Sequence, residues 1–153
     1  MIALKRILTT TDFSPQSRIA LKYASAFATA FGAEVIVCHV LEKPDFLSQL
    51  PPVSDGYLPP DLPQVQEKHA RVLCEQMLAE AGLSHARVIM PHGNPYSEIV
   101  RTAKEEDCDI IIIGTHGRGG LAHLLLGSVA ERVVRAAPCP VLTVRSGEHE
   151  FVT

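Results

Sequence analysis

The chain has 153 residues, 46% apolar and 20% charged, with a formal net charge of −3. That suits one folded domain of ordinary size and excludes a disordered segment. The small acidic excess gives no general pull toward nucleic acid or an anionic membrane, and no apolar run approaches the roughly 18 residues a membrane span needs. The opening MIALKRIL has no extended apolar segment ahead of a cleavage site, so a soluble, cytoplasmic protein is expected.

Residues 5–10, KRILTT, read as a first strand around Ile7 and Leu8, with Asp12 at its carboxyl end. Ser14-Pro15 starts a helix, since Ser14 can cap and Pro15 suits the first turn. Ile19, Ala20, Tyr23, Ala24, Phe27, Ala28 and Phe31 recur at helical spacing, and Gly32 ends the helix. Residues 34–40, EVIVCHV, are nearly all apolar and β-branched, as a central parallel strand should be. His39 within it reads as a hydrogen-bonded core or rim histidine.

Residues 42–63 break the pattern. Pro44, Pro51, Pro52, Pro59, Pro60 and Pro63 fall there, so regular structure is not expected. The segment leaves the second strand at its carboxyl edge, and either covers a ligand or is a plain solvated excursion.

Residues 64–81 form a helix with Val65, His69, Val72, Leu73, Met77 and Leu78 on one side, closed by Gly82. Residues 86–90 are a third strand and 91–95, PHGNP, a turn. Residues 96–106 form a helix with Ile99, Val100 and Ala103 inward and Glu105 and Glu106 solvated. Residues 109–113 are a fourth strand, and 121–126 a short apolar turn. A helix at 128–136 buries Val129 and Val133, with Val134 a further candidate. Pro138 stops it, and 140–145 give the fifth strand. Five strands alternating with four helices imply an α/β fold: one doubly wound, mostly parallel sheet with helices on both faces. Periodicity leaves the strand order open.

The most informative stretch is 109–128, DIIIIGTHGRGGLAHLLLGS. Its isoleucine run reads as a strand buried on both faces. Gly114, Gly117, Gly119 and Gly120 follow directly, and Gly127-Ser128 precede a helix. Glycines after such a strand let backbone approach a ligand closely, and free N–H groups there suit an anion. The next helix adds its own unpaired amides and the positive end of its dipole. Between Gly114 and Ser128 stands Arg118 and no acid. The stretch therefore reads as a phosphate cradle at the strand–helix junction where open α/β sheets place ligands. It is neither a P-loop nor a G-x-G-x-x-G fingerprint.

Gly114-x2-Gly117-x9-Gly127-Ser128 resembles the nucleotide-binding signature of the universal stress protein family. The flanking LLGSVAERVVRAAPCPVLTVR and the first strand ending in Thr11-Asp12-Phe13-Ser14 are similar too, so the resemblance spans nearly the whole chain. It implies a Rossmann-like sheet of order 3-2-1-4-5, of the adenine nucleotide alpha hydrolase type, at 1–147, with a C-terminal tail at 148–153. Ligand would then bind where the first and fourth strands lie side by side. ATP, ADP or AMP is the implied ligand, with Mg2+ as the ion that would accompany its phosphates.

The implied site draws on Thr11, Asp12, Val40, Ile113, Gly114, Gly117, Arg118, Gly127, Ser128 and Val129. Amides of Gly117, Gly127, Ser128 and Val129 would meet phosphate oxygens, helped by the Ser128 hydroxyl. Val40 matches the position whose backbone reads the adenine edge, and Ile113 and Gly114 would wall the nucleoside. Arg118 either contacts phosphate or is solvated. Asp12 either lies near the nucleoside or a phosphate-bound metal, or forms a turn with nearby backbone. In the family the last strand, here 141–145, commonly mediates a homodimer.

The expected role is an ATP-binding regulatory module of stress responses with an unidentified protein partner. A slow nucleotide hydrolase or phosphotransferase and a nucleotide-free interaction module remain as alternatives. No nucleophile–base pair is apparent, and Asp12 is the one carboxylate that sequence places near a metal. Cys38, Cys74, Cys108 and Cys139 form no C-x-x-C pair and read as reduced thiols in or near the core. The seven histidines show no H-x-x-x-H or HExxH spacing, so no histidine metal site is expected.

Overall fold

The structure is a computed structural model that describes residues 1–42, 61–115, 126–145 and 151–152. Five parallel strands, β1 (Arg6–Thr10), β2 (Glu34–Cys38), β3 (Arg87–Ile89), β4 (Ile110–Gly114) and β5 (Val141–Val144), form one sheet of order 3-2-1-4-5. Four helices connect or flank them: α1 (Pro15–Phe31), α2 (Leu62–Glu80), α3 (Pro95–Glu105) and α4 (Ser128–Ala136). The order that the resemblance implies is the order observed. β1 is central, with Leu8 level with Ile36 of β2 and Ile111 of β4.

Strand side chains alternate between two cores. Ile7, Val35, Val37 and Ile112 pack against Ala20, Leu21, Tyr23 and Ala24 of α1 and Met77 and Leu78 of α2. Leu8, Ile36, Cys38, Ile111 and Ile113 pack on the other face against Ile99 and Ala103 of α3 and Ala130 and Val133 of α4. Strands buried on both faces explain the unbroken apolar runs in β2 and β4.

The helix ends follow local chemistry. Ser14 caps α1 by accepting the Ser17 amide at 3.2 Å, and Gly32 closes it at φ 67. α2 begins two residues earlier than expected, because Pro63 in the first turn loses no needed hydrogen bond. Its inward face also differs. Ala70, Cys74, Met77 and Leu78 are buried, while Val65 and Val72 are 54% and 47% exposed. Small residues let the helix sit close to the sheet, and the larger valines are left on the outer turn. In α4, Val133 is buried and Val134 is exposed.

β2 stops at Cys38, short of the expected 40, because β1 turns away there. Its chain continues along the β3 side alone, with the His39 amide donating to the Ile89 carbonyl at 3.0 Å and the Leu41 amide to Pro91 at 2.8 Å. Residues 43–60 of the proline-rich segment lie outside the described residues.

The amino edge of the sheet is tied by charge. Both the Lys5 and Arg6 amides donate to one carboxylate oxygen of Asp109, at 2.6 and 2.9 Å. Glu34 pairs with Arg6 at 3.6 Å and Arg87 at 3.3 Å, and Arg87 reaches Glu106 at 2.6 Å. The two donated amides hold the Asp109 carboxyl below the usual range, and Arg87 does the same for Glu106. Phe151 packs edge-on against Tyr23 of α1, with ring centroids 5.0 Å apart. No helix among the described residues is long and apolar enough to cross a membrane.

Candidate functional site

At the carboxyl edge β1 and β4 emerge side by side. Thr9 is level with Ile112, so Asp12 and Thr115 stand equally far beyond that pair. The Gly127 amide donates to the Thr115 carbonyl at 2.5 Å, which fastens the start of α4 to the end of β4. The corner therefore gathers Ile113, Gly114 and Gly127 with the first turn of α4, and Asp12 follows the end of the neighbouring strand β1. Ile113 is buried and Gly114 half-buried.

The bond to Thr115 also corrects one expectation. Gly127's amide is already spent, so it does not offer the phosphate donor assigned to it. The first intrahelical bond runs from the Glu131 amide to the Gly127 carbonyl at 2.9 Å, and no side chain among the described residues caps the helix. The amides of Ser128 and Val129 accordingly meet no acceptor among the described residues. An uncapped first turn with a positive dipole end is the chemistry that holds an anion. Ser128 is exposed and Val129 half-buried. Gly117 and Arg118 lie outside the described residues.

Thr11 is used differently from the expectation. Its hydroxyl points into the protein, 3.0 Å from the Ser17 hydroxyl, and accepts the Phe13 amide at 3.1 Å. Its carbonyl bonds His39 Nδ1 at 2.8 Å. Thr11 thus builds the corner from behind. Asp12 accepts the Ser14 amide through Oδ1 at 2.9 Å. The turn-forming role is therefore present at a half-buried residue beside the helix end.

Val40 lies two residues past β2. His39 and Leu41 direct their amides toward the β3 side. By the alternation of a parallel ladder, Val40 directs its N–H and carbonyl toward β1, whose last bond to β2 is the Thr11 amide to Cys38 at 3.1 Å. Neither Val40 group meets a partner among the described residues.

His39 proves to be the hydrogen-bonded rim histidine expected, stacked on Phe13 with ring centroids 4.2 Å apart. Phe13 itself, at φ 65, was not legible as a special position. Its signal is local: an aspartate that can bond two residues on, followed by Ser-Pro, already marks a tight turn. The thiols stand apart from this corner's chemistry. Burial pushes Cys38 and Cys108 up to about 12 and Cys74 to about 11. Among the described residues no group of three or more His, Cys, Asp and Glu gathers to hold a metal ion.

Comparison with known proteins agrees with this architecture. A profile of the Universal stress protein family matches residues 3–145. Universal stress protein MJ0531 of Methanocaldococcus jannaschii is 37% identical over 147 residues, covering 95% of this chain and 85% of that protein. MJ0577 of the same organism is 35% identical over 159 residues, covering 94% and 96%. The solved structure of MJ0577 superposes with a TM-score of 0.78 at 34% identity, over 97% of this chain and 100% of that one. A universal stress protein solved in complex with cAMP shares the fold, with a TM-score of 0.61 at 24% identity, over 94% and 98% of the two chains. With a matching profile over nearly its full length, relatives above 30% identity and the sheet order in place, the chain belongs to the universal stress protein family.

Proposed function

We propose that this protein binds an adenine nucleotide, ATP, ADP or AMP, where β1, β4 and α4 meet, and acts as a homodimeric regulatory module in stress responses. The observation that carries the reading is the first turn of α4. Among the described residues its Ser128 and Val129 amides meet no acceptor, and the Gly127–Thr115 bond holds them at the carboxyl end of the two central strands. Phosphate oxygens would accept from these amides, with Gly117 and Arg118 as further contacts. The Val40 N–H and carbonyl offer one donor and one acceptor side by side, which complements the N1 acceptor and amino donor of adenine. Guanine presents the opposite pair on that edge.

Asp12 would supply one carboxylate oxygen to a Mg2+ carried in with the phosphates. One carboxylate fits that ion, which keeps several waters and takes substrate phosphates as its other ligands. For assembly, β5 is the terminal strand and, among the described residues, bonds β4 alone. Val141, Leu142 and Thr143 are half-buried there, an apolar edge suited to pairing with a second copy.

Titration calorimetry with ATP-Mg tests the site. A Gly117→Val, Gly127→Val double variant should bind on the order of 100-fold more weakly, because side chains at both positions block phosphate approach. Unchanged affinity in that variant would overturn the reading. Mass spectrometry of small molecules released by acid from the purified protein identifies which nucleotide it carries.

A further inference from the structure

We infer that His39 is a positioning residue for the nucleotide corner: by bonding the Thr11 carbonyl and stacking on Phe13, it sets the Asp12 turn against the backbone of Val40. The inference rests on the nucleotide reading above and assigns that site a residue outside its expected contact set.

The need for such a clamp is visible in the backbone. Regular pairing of β1 with β2 ends at the Thr11 amide. Two residues later Phe13 adopts φ 65, a left-handed conformation that strains a bulky side chain. Such a turn persists only where its surroundings hold it. Two of the holding contacts are local, from the Phe13 amide to Thr11 Oγ1 at 3.1 Å and from the Ser14 amide to Asp12 Oδ1 at 2.9 Å. Neither ties the turn to the rest of the sheet.

His39 does. Its Nδ1 lies 2.8 Å from the Thr11 carbonyl, and a carbonyl only accepts, so the network assigns the hydrogen to Nδ1. The ring lies 4.2 Å from the Phe13 ring at an interplanar angle of 32°. His39 is anchored in turn, since its amide is bound to Ile89 of β3. The residue is buried, so this bond is made away from competing water. The next residue is Val40. One side chain thus links the acidic turn of β1 to the backbone pair proposed to read the base. Loosening it changes the separation of two groups that must meet the same nucleoside, and affinity is sensitive to that separation.

Two variants separate positioning from bulk stability. His39→Phe keeps an aromatic ring for Phe13 and removes the donor. His39→Asn keeps an N–H donor near the Nδ1 position and removes the ring. Each is measured for ATP-Mg affinity by calorimetry, for Tm, and for backbone amide exchange at Phe13 and Ser14 by NMR. The expected result is about tenfold weaker binding and faster exchange at both amides in His39→Phe, the scale of one lost buried hydrogen bond. His39→Asn should recover most of the affinity although its Tm stays low.

Wild-type affinity and exchange in His39→Phe would overturn the inference. So would an Asn variant whose affinity falls in step with its Tm, as a purely structural role requires. If the wild-type protein binds no ATP-Mg while exchange still quickens in His39→Phe, the nucleotide reading fails and takes the positioning role with it, and the clamp alone stands. If the wild type binds and His39→Phe binds equally well, only the role of His39 fails.

Discussion

The two edges of this sheet are finished in opposite ways. At the amino edge the strand starts are bound to one another. Asp109 accepts two β1-side amides, and Arg6, Glu34, Arg87 and Glu106 run an ionic chain from β1 across to β3 and the end of α3. At the carboxyl edge β1 turns out through Phe13, β2 continues along β3 alone, and α4 starts without a cap. One edge satisfies its polar groups internally. At the other, main-chain groups of Ser128, Val129 and Val40 meet no partner among the described residues. The difference teaches where stability and function are divided: substitutions at the amino edge should move folding, and substitutions at the carboxyl edge should move binding.

The largest effect should come from between the edges. Ile112 is fully buried in β4 and packs toward α1. Ile112→Ala should cost about 3–4 kcal/mol in urea unfolding, from lost apolar burial and the cavity left behind. A cost under about 1 kcal/mol would mean that the surroundings collapse freely into the space left behind.

Ser128→Pro probes the carboxyl edge alone. Proline is well suited to the first helical position, and Gly127 already holds the extended conformation, φ −67 and ψ 157, that a residue before proline prefers. The change deletes one amide and one hydroxyl without asking the backbone to move. Nucleotide affinity should fall roughly 30-fold, the scale of one to two charge-assisted hydrogen bonds, while Tm stays within about 2 °C. A large fall in Tm, or unchanged affinity, would break the proposed division.

Asp109→Ala is the mirror experiment. Losing the acceptor of two amides should cost about 2 kcal/mol of folding free energy and leave nucleotide affinity at the wild-type value. The same edge sets the acid response. Asp109 and Glu106 have folded pKa values below their unfolded ones, so their contribution is present above the unfolded value near ~4 and is lost as pH falls through the folded values. Urea midpoints measured downward from pH 5 should decline, and the decline should flatten in Asp109→Asn. An equally steep decline in that variant would place the acid sensitivity elsewhere.

What the sequence makes legible follows the same division. The isoleucine run, Ser14-Pro15 and Gly32 mark their elements because the cause is local. The glycine spacing of 114–128 marks the strand–helix junction for the same reason. The ionic chain from Glu34 to Arg87 and Glu106 is not legible, since it joins residues far apart in sequence. The inward face of α2 is read in part: Met77 and Leu78 are buried as expected, but Ala70 and Cys74 bury beside them while Val65 and Val72 lie outward. At the corner, sequence points to Thr11 and Gly127. It does not reveal that the Thr11 hydroxyl turns inward or that Gly127 spends its amide on Thr115. Those are choices among partners of equal local chemistry, and only the assembled fold decides them.

The smallest expected effect lies in β1 itself, one step before the open edge. Thr9 is fully buried, level with Val37 and Ile112, and its hydroxyl has no hydrogen-bond partner among the described residues. A buried hydroxyl without a partner carries an uncompensated desolvation cost. Thr9→Val keeps the β-branched shape that suits a strand and replaces the hydroxyl with a methyl group of similar size. The variant should be more stable by about 1 kcal/mol, a Tm gain of roughly 3 °C for a domain this size. Nucleotide affinity should not change, because the side chain faces the α1 core and Thr11 takes the hydrogen bonds to Ser17 and Phe13. A loss of stability would show that the hydroxyl finds a partner in solution and that β1 is polar by design up to the mouth of the site.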